Sequence, residues 1–485
     1  MKIFCKKIIL IPLFAFFTSF CFAEKTEISG LSSYKLENGL ELYVLENDSA
    51  PLSYIEIAVK CGAFCQTKEN AGLFHLYEHM MFKGNEKYSS QKEFVGAMNN
   101  LGVSDWNGST SIDRVNYYFT VPSALTEQGL EFWSYAIRTP LLDENEFENE
   151  KKVVLSEIEG SFSDSAKIIS SGILNSLFHE NPWKIDTSGN PENIKNATVR
   201  QLKQIKEDFY IPQNTAIFVG TNLNADEVYS YVKKIFGDWK NPPSTNNNFS
   251  KNSKELAQTK KLVFADPRAS STMSQLVFYL RGPDCAFETE DTYAADVWSY
   301  LAANPDSSFV QKSISNKEFN IVDADYVSCG YSTMNYSGII SFSCYFLNDS
   351  KLSAVERSQK ILDFWQNECV DDIFKEKTGF DEKQILKVEQ KLEDSRIYSL
   401  ETASSFLKEL SSTWASSSFE YFLDYQKNIN CVTKNDIEKF AEKYLKDKNG
   451  IVLLVVSPDY FEQNKEEFSK NGWEELTSEN AFWWK

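Results

Sequence analysis

The sequence has 485 residues, of which 42% are hydrophobic and 14% aromatic, and this excludes a wholly disordered chain. It carries 50 basic against 69 acidic residues, a formal charge of −19. A chain this acidic lacks the basic surface of nucleic-acid-binding proteins, and an anionic membrane would repel it. We therefore expect a folded protein of about two to four domains with no nucleic-acid partner.

The first 23 residues have the pattern of a secretory signal peptide. Three lysines precede an apolar run at residues 8–17, and Cys21-Phe22-Ala23 offers small residues at the two positions that signal peptidase reads. The apolar run is shorter than the about 20 residues that span a bilayer. We predict cleavage after residue 23 and export, most readily to the periplasm, with secretion or lipid attachment at Cys21 as alternatives. No later stretch predicts a transmembrane segment.

Apolar periodicity predicts both strands and helices in the first half of the mature chain, residues 24–240. The predicted strands are Leu40–Leu45, Tyr54–Lys60, Val115–Val121 and Ala216–Gly220. The longer predicted helices are Ala124–Arg138 and Glu146–Glu159. Strand pairs followed by helices, with no regular βαβ alternation, favour an α+β fold.

Two of the three histidines in the chain lie in one short motif within residues 72–84. On a helix, positions i and i+4 share a face about 6 Å apart, so His75 and His79 can bind one metal ion. Catalytic zinc takes three protein ligands and a water, and Glu78 lies where it could deprotonate that water. Two ordinary helix histidines are the alternative, but H-x-x-E-H is rare by chance in so histidine-poor a chain and is an inverted zinc-peptidase signature.

A third metal ligand must come from elsewhere in the chain. Glu150 and Glu157 are two helical turns apart and share a face of their predicted helix, so one could bind zinc while the other supports the site. A solvated acidic helix is the alternative interpretation. His179, which precedes Glu180-Asn181-Pro182, is interpreted as a structural residue at a helix end.

A polar linker at residues 241–258 divides the mature chain into two parts, 24–240 and 259–485. A helix–strand pattern that begins at Thr198 recurs 235 positions later at Thr433, which favours duplication. We predict two homologous domains, each a mostly antiparallel sheet packed with helices. The elements predicted in the second half are strands Lys261–Phe264, Ser274–Leu280, Val322–Ser328, Gly338–Tyr345 and Ile451–Val456 and a long helix Asp381–Ser411.

Seven cysteines remain in the mature chain, and an odd number does not indicate a disulfide scaffold. If the strand before Cys61 continues through Cys65, the two residues lie about 13 Å apart, too far for one bridge. Cys329 and Cys344 lie symmetrically about a turn-like stretch at residues 335–338, and a hairpin centred there would make them neighbours. We predict a Cys329–Cys344 disulfide in an oxidising compartment.

Taken together, these motifs resemble those of the pitrilysin/insulinase metallopeptidases, also called inverted zincins. The resemblance covers nearly the whole mature chain. It rests on the block at residues 72–84, on Glu157 seventy-eight positions after His79, and on residues 210–214 before a strand that ends at Gly220. It implies one Zn²⁺ per chain, held by His75, His79 and Glu157.

The resemblance also implies roles for residues around the metal. Glu78 would be the general base, and Glu150 would be the acid that supports the site. Residues 106–111 match the family's edge strand, to which a peptide substrate adds as a further strand. Asn107 would lie nearest to the scissile carbonyl, with Gly108 and Ser109 beside it.

One departure from the family pattern affects the expected function. Members that act alone carry an arginine and a tyrosine in the second half that hold the substrate, but here Ser315 occupies the arginine position and no tyrosine follows until Tyr326. In this respect the chain is most similar to the two-subunit processing peptidases. We therefore expect the zinc-bearing subunit of an endopeptidase that cleaves unfolded peptides, with a related chain or a second copy supplying both residues. A non-catalytic scaffold or peptide-binding subunit, or a structural zinc site, is the alternative.

Overall fold

The structure is a computed structural model that describes residues 24–25, 28–243, 254–399 and 401–485. The predicted signal peptide and most of the predicted linker lie outside these residues. In the first half the strands are β1 (Glu24–Lys25), β2 (Leu31–Lys35), β3 (Glu41–Glu46), β4 (Leu52–Val59), β5 (Trp106–Thr110), β6 (Val115–Pro122) and β7 (Thr215–Thr221). The helices are α1 (Leu73–Met81), α2 (Gln91–Asn100), α3 (Thr126–Arg138), α4 (Glu144–Ser161), α5 (Ser165–Leu177), α6 (Pro191–Asn196), α7 (Val199–Phe209) and α8 (Ala225–Phe236).

The second half contains a comparable set of elements. Its strands are β8 (Lys260–Ala265), β9 (Met273–Gly282), β10 (Val327–Thr333), β11 (Gly338–Leu347), β12 (Ile451–Val456) and β13 (Trp473–Glu475). Its helices are α9 (Thr289–Ala302), α10 (Ser308–Ser315), α11 (Ala354–Asp363), α12 (Val370–Ile373), α13 (Glu382–Ser399), α14 (Ala403–Ser416), α15 (Phe419–Ile429), α16 (Lys434–Tyr444) and α17 (Pro458–Lys470). A π-helical turn, Phe364–Cys369, joins α11 to α12.

The strands form two sheets with the same core topology. The first has seven strands in the order β1-β2-β3-β7-β4-β6-β5, and the second has six in the order β10-β11-β9-β12-β8-β13. In the first sheet only β3 and β7 pair in parallel, whereas in the second β8 pairs in parallel with both β12 and β13. The α+β prediction is therefore confirmed, and the series β3-β7-β4-β6-β5 matches β8-β12-β9-β11-β10, which supports a duplication.

The repeated helix–strand unit begins with the same local structure in both halves. Thr198 caps α7 with a capping box completed by Gln201, and Thr433 caps α16 with one completed by Asp436. Each helix then leads into a fully buried central strand, β7 or β12. Because every side chain of these strands is buried on one face or the other, their sequences are apolar apart from the threonines at the two ends of β7.

Each sheet has one face packed on helices of its own half and the other face covered by the opposite half. Phe406, Leu407 and Leu410 of α14 pack against Tyr43 and Phe218 on the outer face of the first sheet. In the reciprocal contact, Ile168, Ile173 and Leu177 of α5 pack on the outer face of the second sheet against Val277 and Leu453. The division into two domains at residues 241–258 remains a prediction. On the outer face of each sheet, the hydrophobic core contains residues from both halves.

The structure contradicts two element predictions in the second half. The strand predicted over Val322–Ser328 starts five residues later, because the Asp323 side chain accepts a hydrogen bond from the Asp325 amide and starts a 3-10 turn, so that β10 begins only at Val327. The helix predicted over Asp381–Ser411 is two helices, because Thr402 caps the start of α14 with its side chain.

The predicted Cys329–Cys344 disulfide is also wrong. The β10–β11 register pairs Cys329 with Phe342 and Cys344 with Val327, so the two cysteines are diagonal rather than directly opposite. All seven cysteines of residues 24–485 are free thiols. Among the helices that the structure describes, none is both long and apolar enough to cross a membrane.

Candidate metal centre

Helix α1 carries the paired histidines at the edge of the hydrophobic core that the first sheet forms with its helices. Leu73, Leu76 and Met80 are completely buried on its core side, while His75 and His79 are only partly buried on the other. The helix starts at Gly72, whose φ of 93° favours glycine. A side chain there would also meet the Ser188 carbonyl oxygen at 2.8 Å, so the start of the helix is held against a neighbouring loop.

Three donor atoms from α1 and α4 converge on one point. His75 Nε2 and His79 Nε2 are 3.2 Å apart, and Glu157 Oε2 lies 3.8 Å from the first and 3.7 Å from the second. A triangle with these sides has a circumscribed radius of about 2.1 Å, which matches Zn–N and Zn–O bond lengths. The donor set and its spacing therefore fit one zinc ion. The Glu157 side chain is 48% exposed, so solvent reaches this point.

Glu78 lies beside these donors but its carboxylate is held by β5. The Thr110 hydroxyl donates a hydrogen bond to Glu78 Oε2 at 3.1 Å. Gly108 lies so close to Glu78 that an added Cβ would meet Oε1 at 3.0 Å. One carboxylate oxygen of Glu78 is therefore bound to Thr110, and the other lies against Gly108. A residue larger than glycine at position 108 would displace this carboxylate.

Glu150 lies behind His79 and connects it to a lysine. Glu150 Oε2 is 3.0 Å from His79 Nδ1, and Glu150 Oε1 pairs with Lys83 Nζ at 2.6 Å. With Nδ1 protonated and donating to Glu150, the Nε2 lone pair is directed at the metal position. The site therefore contains a chain of contacts from Lys83 through Glu150 to His79.

The electrostatic environment shifts the pKa values of the two histidines in opposite directions. Burial, together with the charges of His79 and Lys167, lowers the pKa of His75 to about 4, so this ring is neutral at pH 7. Burial also lowers the pKa of His79, but its hydrogen bond to Glu150 and the nearby carboxylates outweigh this and raise it. Burial raises the pKa of Glu78, against the opposing effects of His79 and Thr110. A carboxylate with a raised pKa is a stronger base.

Strand β5 forms the edge of the first sheet and pairs with β6 alone. Alternation along the strand places Gly108 and Thr110 on the side of α1, and Asn107 and Ser109 on the opposite side. The Asn107 side chain accepts a hydrogen bond from the Gly108 amide, and the Ser109 hydroxyl donates one to Asn116. The resemblance singled out Asn107, Gly108 and Ser109. Thr110 lies in the same matched strand, but its hydrogen bond to Glu78 could not be predicted from the sequence.

The remaining residues singled out from the sequence lie apart from the donors. Ser315 is exposed at the last position of α10, and Tyr326 is exposed at the turn before β10. His179 is 49% exposed and contacts Glu180, which in turn pairs with Arg281 of the second half. His179 therefore fits the structural interpretation and is not part of the metal centre.

Family models match most of the chain. Residues 42–191 match the model described as insulinase, peptidase family M16, and residues 196–378 match the model described as the M16 inactive domain. The protein belongs to peptidase family M16. The first match contains all of the donor residues, and the second begins ahead of the predicted linker.

Relatives of this M16 protein differ in length. It is 25% identical over 306 residues to the insulin-degrading enzyme homolog of Dictyostelium discoideum, a match that covers 62% of this chain but only 31% of that protein. It is 22% identical over 428 residues to the zinc protease PqqE of Helicobacter pylori, covering 87% and 92% of the two chains. The structure of the first half of the periplasmic protease PqqL from Escherichia coli shares its fold, with a TM-score of 0.72, 15% identity and coverage of 92% and 97%.

Proposed function

We propose that this M16 protein is a zinc-dependent endopeptidase that binds one Zn²⁺ through His75, His79 and Glu157. The observation that carries the proposal is the spacing of the three donor atoms, 3.2 to 3.8 Å, with the carboxylate of Glu78 beside them. A structural zinc site is normally closed by four protein ligands, whereas three ligands and solvent access are typical of a catalytic site.

The residues around the metal position divide the chemistry among them. Bound zinc would polarise the scissile carbonyl and lower the pKa of a water molecule. Glu78 takes the proton from that water and later returns it to the leaving amine. Thr110 fixes one oxygen of Glu78, so that the other is the one free to accept the proton. Glu150 and Lys83 hold His79 in the orientation that metal binding requires.

Strand β5 supplies a binding surface for an extended peptide. Its outer edge has no strand partner among the described residues, so its main-chain groups are available to a substrate strand. A segment that adds to an edge in this way must be extended, with its own main-chain groups unpaired, as it is in an unfolded chain. We therefore propose unfolded polypeptides or peptides as the substrates, with Asn107, Gly108 and Ser109 along the bound strand.

We further propose that the active form contains a second polypeptide. The relative from Dictyostelium is about three times as long as the matched region, and the PqqL structure that this chain covers almost completely is itself a first half. The position of the family's substrate-binding arginine is Ser315 here, and loss of an oxyanion donor costs about 10²–10³ in rate. A related chain, or a second copy of this one, would supply the missing arginine and tyrosine.

Export is proposed on the signal-peptide pattern of residues 1–23. The PqqL relative is described as periplasmic, which supports the same location. We therefore propose that the protein is a periplasmic or otherwise extracytoplasmic peptidase.

The substitution Glu78→Gln tests the catalytic assignment. It keeps the size of the side chain and removes the base, so zinc content should stay at one per chain while peptide cleavage falls by at least about 10²-fold. Glu159→Gln, an exposed change on α4 two residues beyond Glu157, is the matched control and should leave both unchanged. Equal turnover by wild type and Glu78→Gln, alone and with co-purified partners, would favour the non-catalytic scaffold instead.

A further inference from the structure

The last residues of the sequence pack against the elements that carry the metal donors. Phe482 is buried, with its ring 5.3 Å from that of Phe162, which directly follows α4. The Lys485 ammonium lies 4.1 Å from the centre of the Phe162 ring. This segment, residues 481–485, follows β13 and so belongs to the second half. It therefore touches the end of the helix that carries Glu157.

Trp483 within this segment makes a directed bond to the first half. Its indole Nε1–H donates to Asp186 Oδ2 at 2.9 Å, and its ring lies 6.0 Å from that of Trp183. Asp186 Oδ1 accepts from the Ser188 amide at 2.9 Å, so the carboxylate also fixes the turn in which it lies. An indole bond to a carboxylate has a charged acceptor and is stronger than a neutral one.

The loop held by Trp483 is joined to the start of α1 through a buried glutamine. Gln66 is 2% exposed and donates from Nε2 to the carbonyl oxygens of Trp183, at 2.5 Å, and Asp186, at 2.8 Å. Its Oε1 accepts from the Gly72 amide at 2.6 Å. Gly72 caps α1, and His75 lies in the first turn of that helix. A series of hydrogen bonds, joined through the Asp186 and Gln66 residues, therefore runs from Trp483 to the Gly72 amide, three residues before His75.

We propose that Trp483 and Asp186 are positioning residues for the metal centre. Helices α1 and α4, which carry the donors, are joined directly by the His79–Glu150 bond, and the 481–485 segment contacts a further support of each helix. Metal sites require their ligands to be held within about 0.5 Å of the productive geometry. The histidine-free second half thus contributes to zinc binding through this segment. The inference rests on the proposed function only in taking zinc as the metal.

The test compares two identical substitutions. Trp483→Phe removes the bond to Asp186 and keeps an aromatic ring in place. Trp414→Phe removes the same kind of bond, from Trp414 Nε1 to Glu41 Oε2 at 2.6 Å, at the interface between α14 and the outer face of the first sheet. Zinc affinity of the full chain is measured by competition with a chromogenic chelator, and folding by thermal denaturation of the metal-free protein.

Trp483→Phe should weaken zinc binding by about tenfold, at the low end of the effect of outer-shell partners, whereas Trp414→Phe should leave it within about twofold. Equal zinc affinities in the two variants, at comparable melting temperatures, would overturn the proposal. If Trp483→Phe does not fold, Asp186→Asn, which keeps an acceptor for the Ser188 amide, replaces it under the same criterion. Failure of the wild type to bind zinc would instead overturn the proposed function.

Discussion

Gly108→Ala is the substitution with the most specific expected effect on catalysis. The added Cβ would lie 2.9 Å from Phe82 Cζ and 3.0 Å from Glu78 Oε1, and both distances are shorter than a Cβ normally has to another heavy atom. The ring of Phe82 is packed against Phe94 and Tyr117, so it has little room to move. We therefore expect the Glu78 carboxylate to move by several tenths of an ångström, away from the position set by Thr110.

The expected changes in kcat and in unfolding free energy can each be estimated. A misplacement of 1 Å in a catalytic group can cost about 10²-fold in rate, so a smaller shift of Glu78 predicts a kcat lower by about 10- to 50-fold. Overpacking costs about 1–3 kcal/mol of unfolding free energy, and replacing a strand glycine returns about 0.5–1 kcal/mol of this. Zinc content should not change, because Glu78 is not among the three donors.

The assay measures kcat and KM on a fluorogenic peptide together with zinc content. Gly96→Ala is the matched control, since Gly96 lies within α2 with no heavy atom within 4 Å of an added Cβ. It should stabilise the protein by about 0.5–1 kcal/mol and leave kcat unchanged. A Gly108→Ala enzyme with wild-type kcat and full zinc content would refute the account of how Glu78 is positioned.

Three further predictions concern the support of the site and the fold. Lys83→Met leaves the Glu150 carboxylate without its cation and should weaken zinc binding in a chelator competition by about 10-fold or more. Lys87 pairs with Glu131 at the surface, so Lys87→Met should leave zinc binding unchanged. Burial raises the pKa of Asp113 to about 6 although it accepts a bond from the Asn335 amide, so its charge destabilises the fold as pH rises from about 4 to 7. Asp113→Asn should therefore raise the unfolding free energy by about 1–3 kcal/mol at pH 7 and by little at pH 4 in urea titrations, and an equal effect at both pH values would contradict this. Residues 24–240 expressed alone should aggregate and recover solubility on co-expression with residues 254–485, because α14 covers the first sheet; a soluble, cooperatively unfolding fragment would contradict the shared core.

The parts of the fold predicted from the sequence are those whose burial is uniform. The central strands β4, β7 and β12 are buried along nearly their whole length, so their apolar runs identify them directly. Peripheral strands such as β2 and β13 are short and partly exposed, and their sequences carry no clear pattern. The exchange of α5 and α14 between the halves depends on contacts between residues far apart in sequence, which periodicity does not contain.

In the metal centre, too, relations within one helix could be predicted from the sequence, whereas contacts between distant residues could not. His75, Glu78 and His79 lie within five residues of one helix, so their relation follows from helix geometry alone. Glu150 and Glu157 are equivalent by spacing, and only the resemblance distinguished them; in the structure Glu150 is 8% exposed behind His79, whereas Glu157 is 48% exposed among the donors. The contributions of more distant residues, such as Thr110 and Trp483, required the tertiary structure.

Anomalous diffraction at the zinc edge, from crystals of the full chain grown with zinc, tests the central assignment most directly. The account predicts a single strong peak per chain, about 2.0–2.2 Å from His75 Nε2, His79 Nε2 and a carboxylate oxygen of Glu157. A peak bound by other residues, or one from which the Glu157 carboxylate points away, would contradict it.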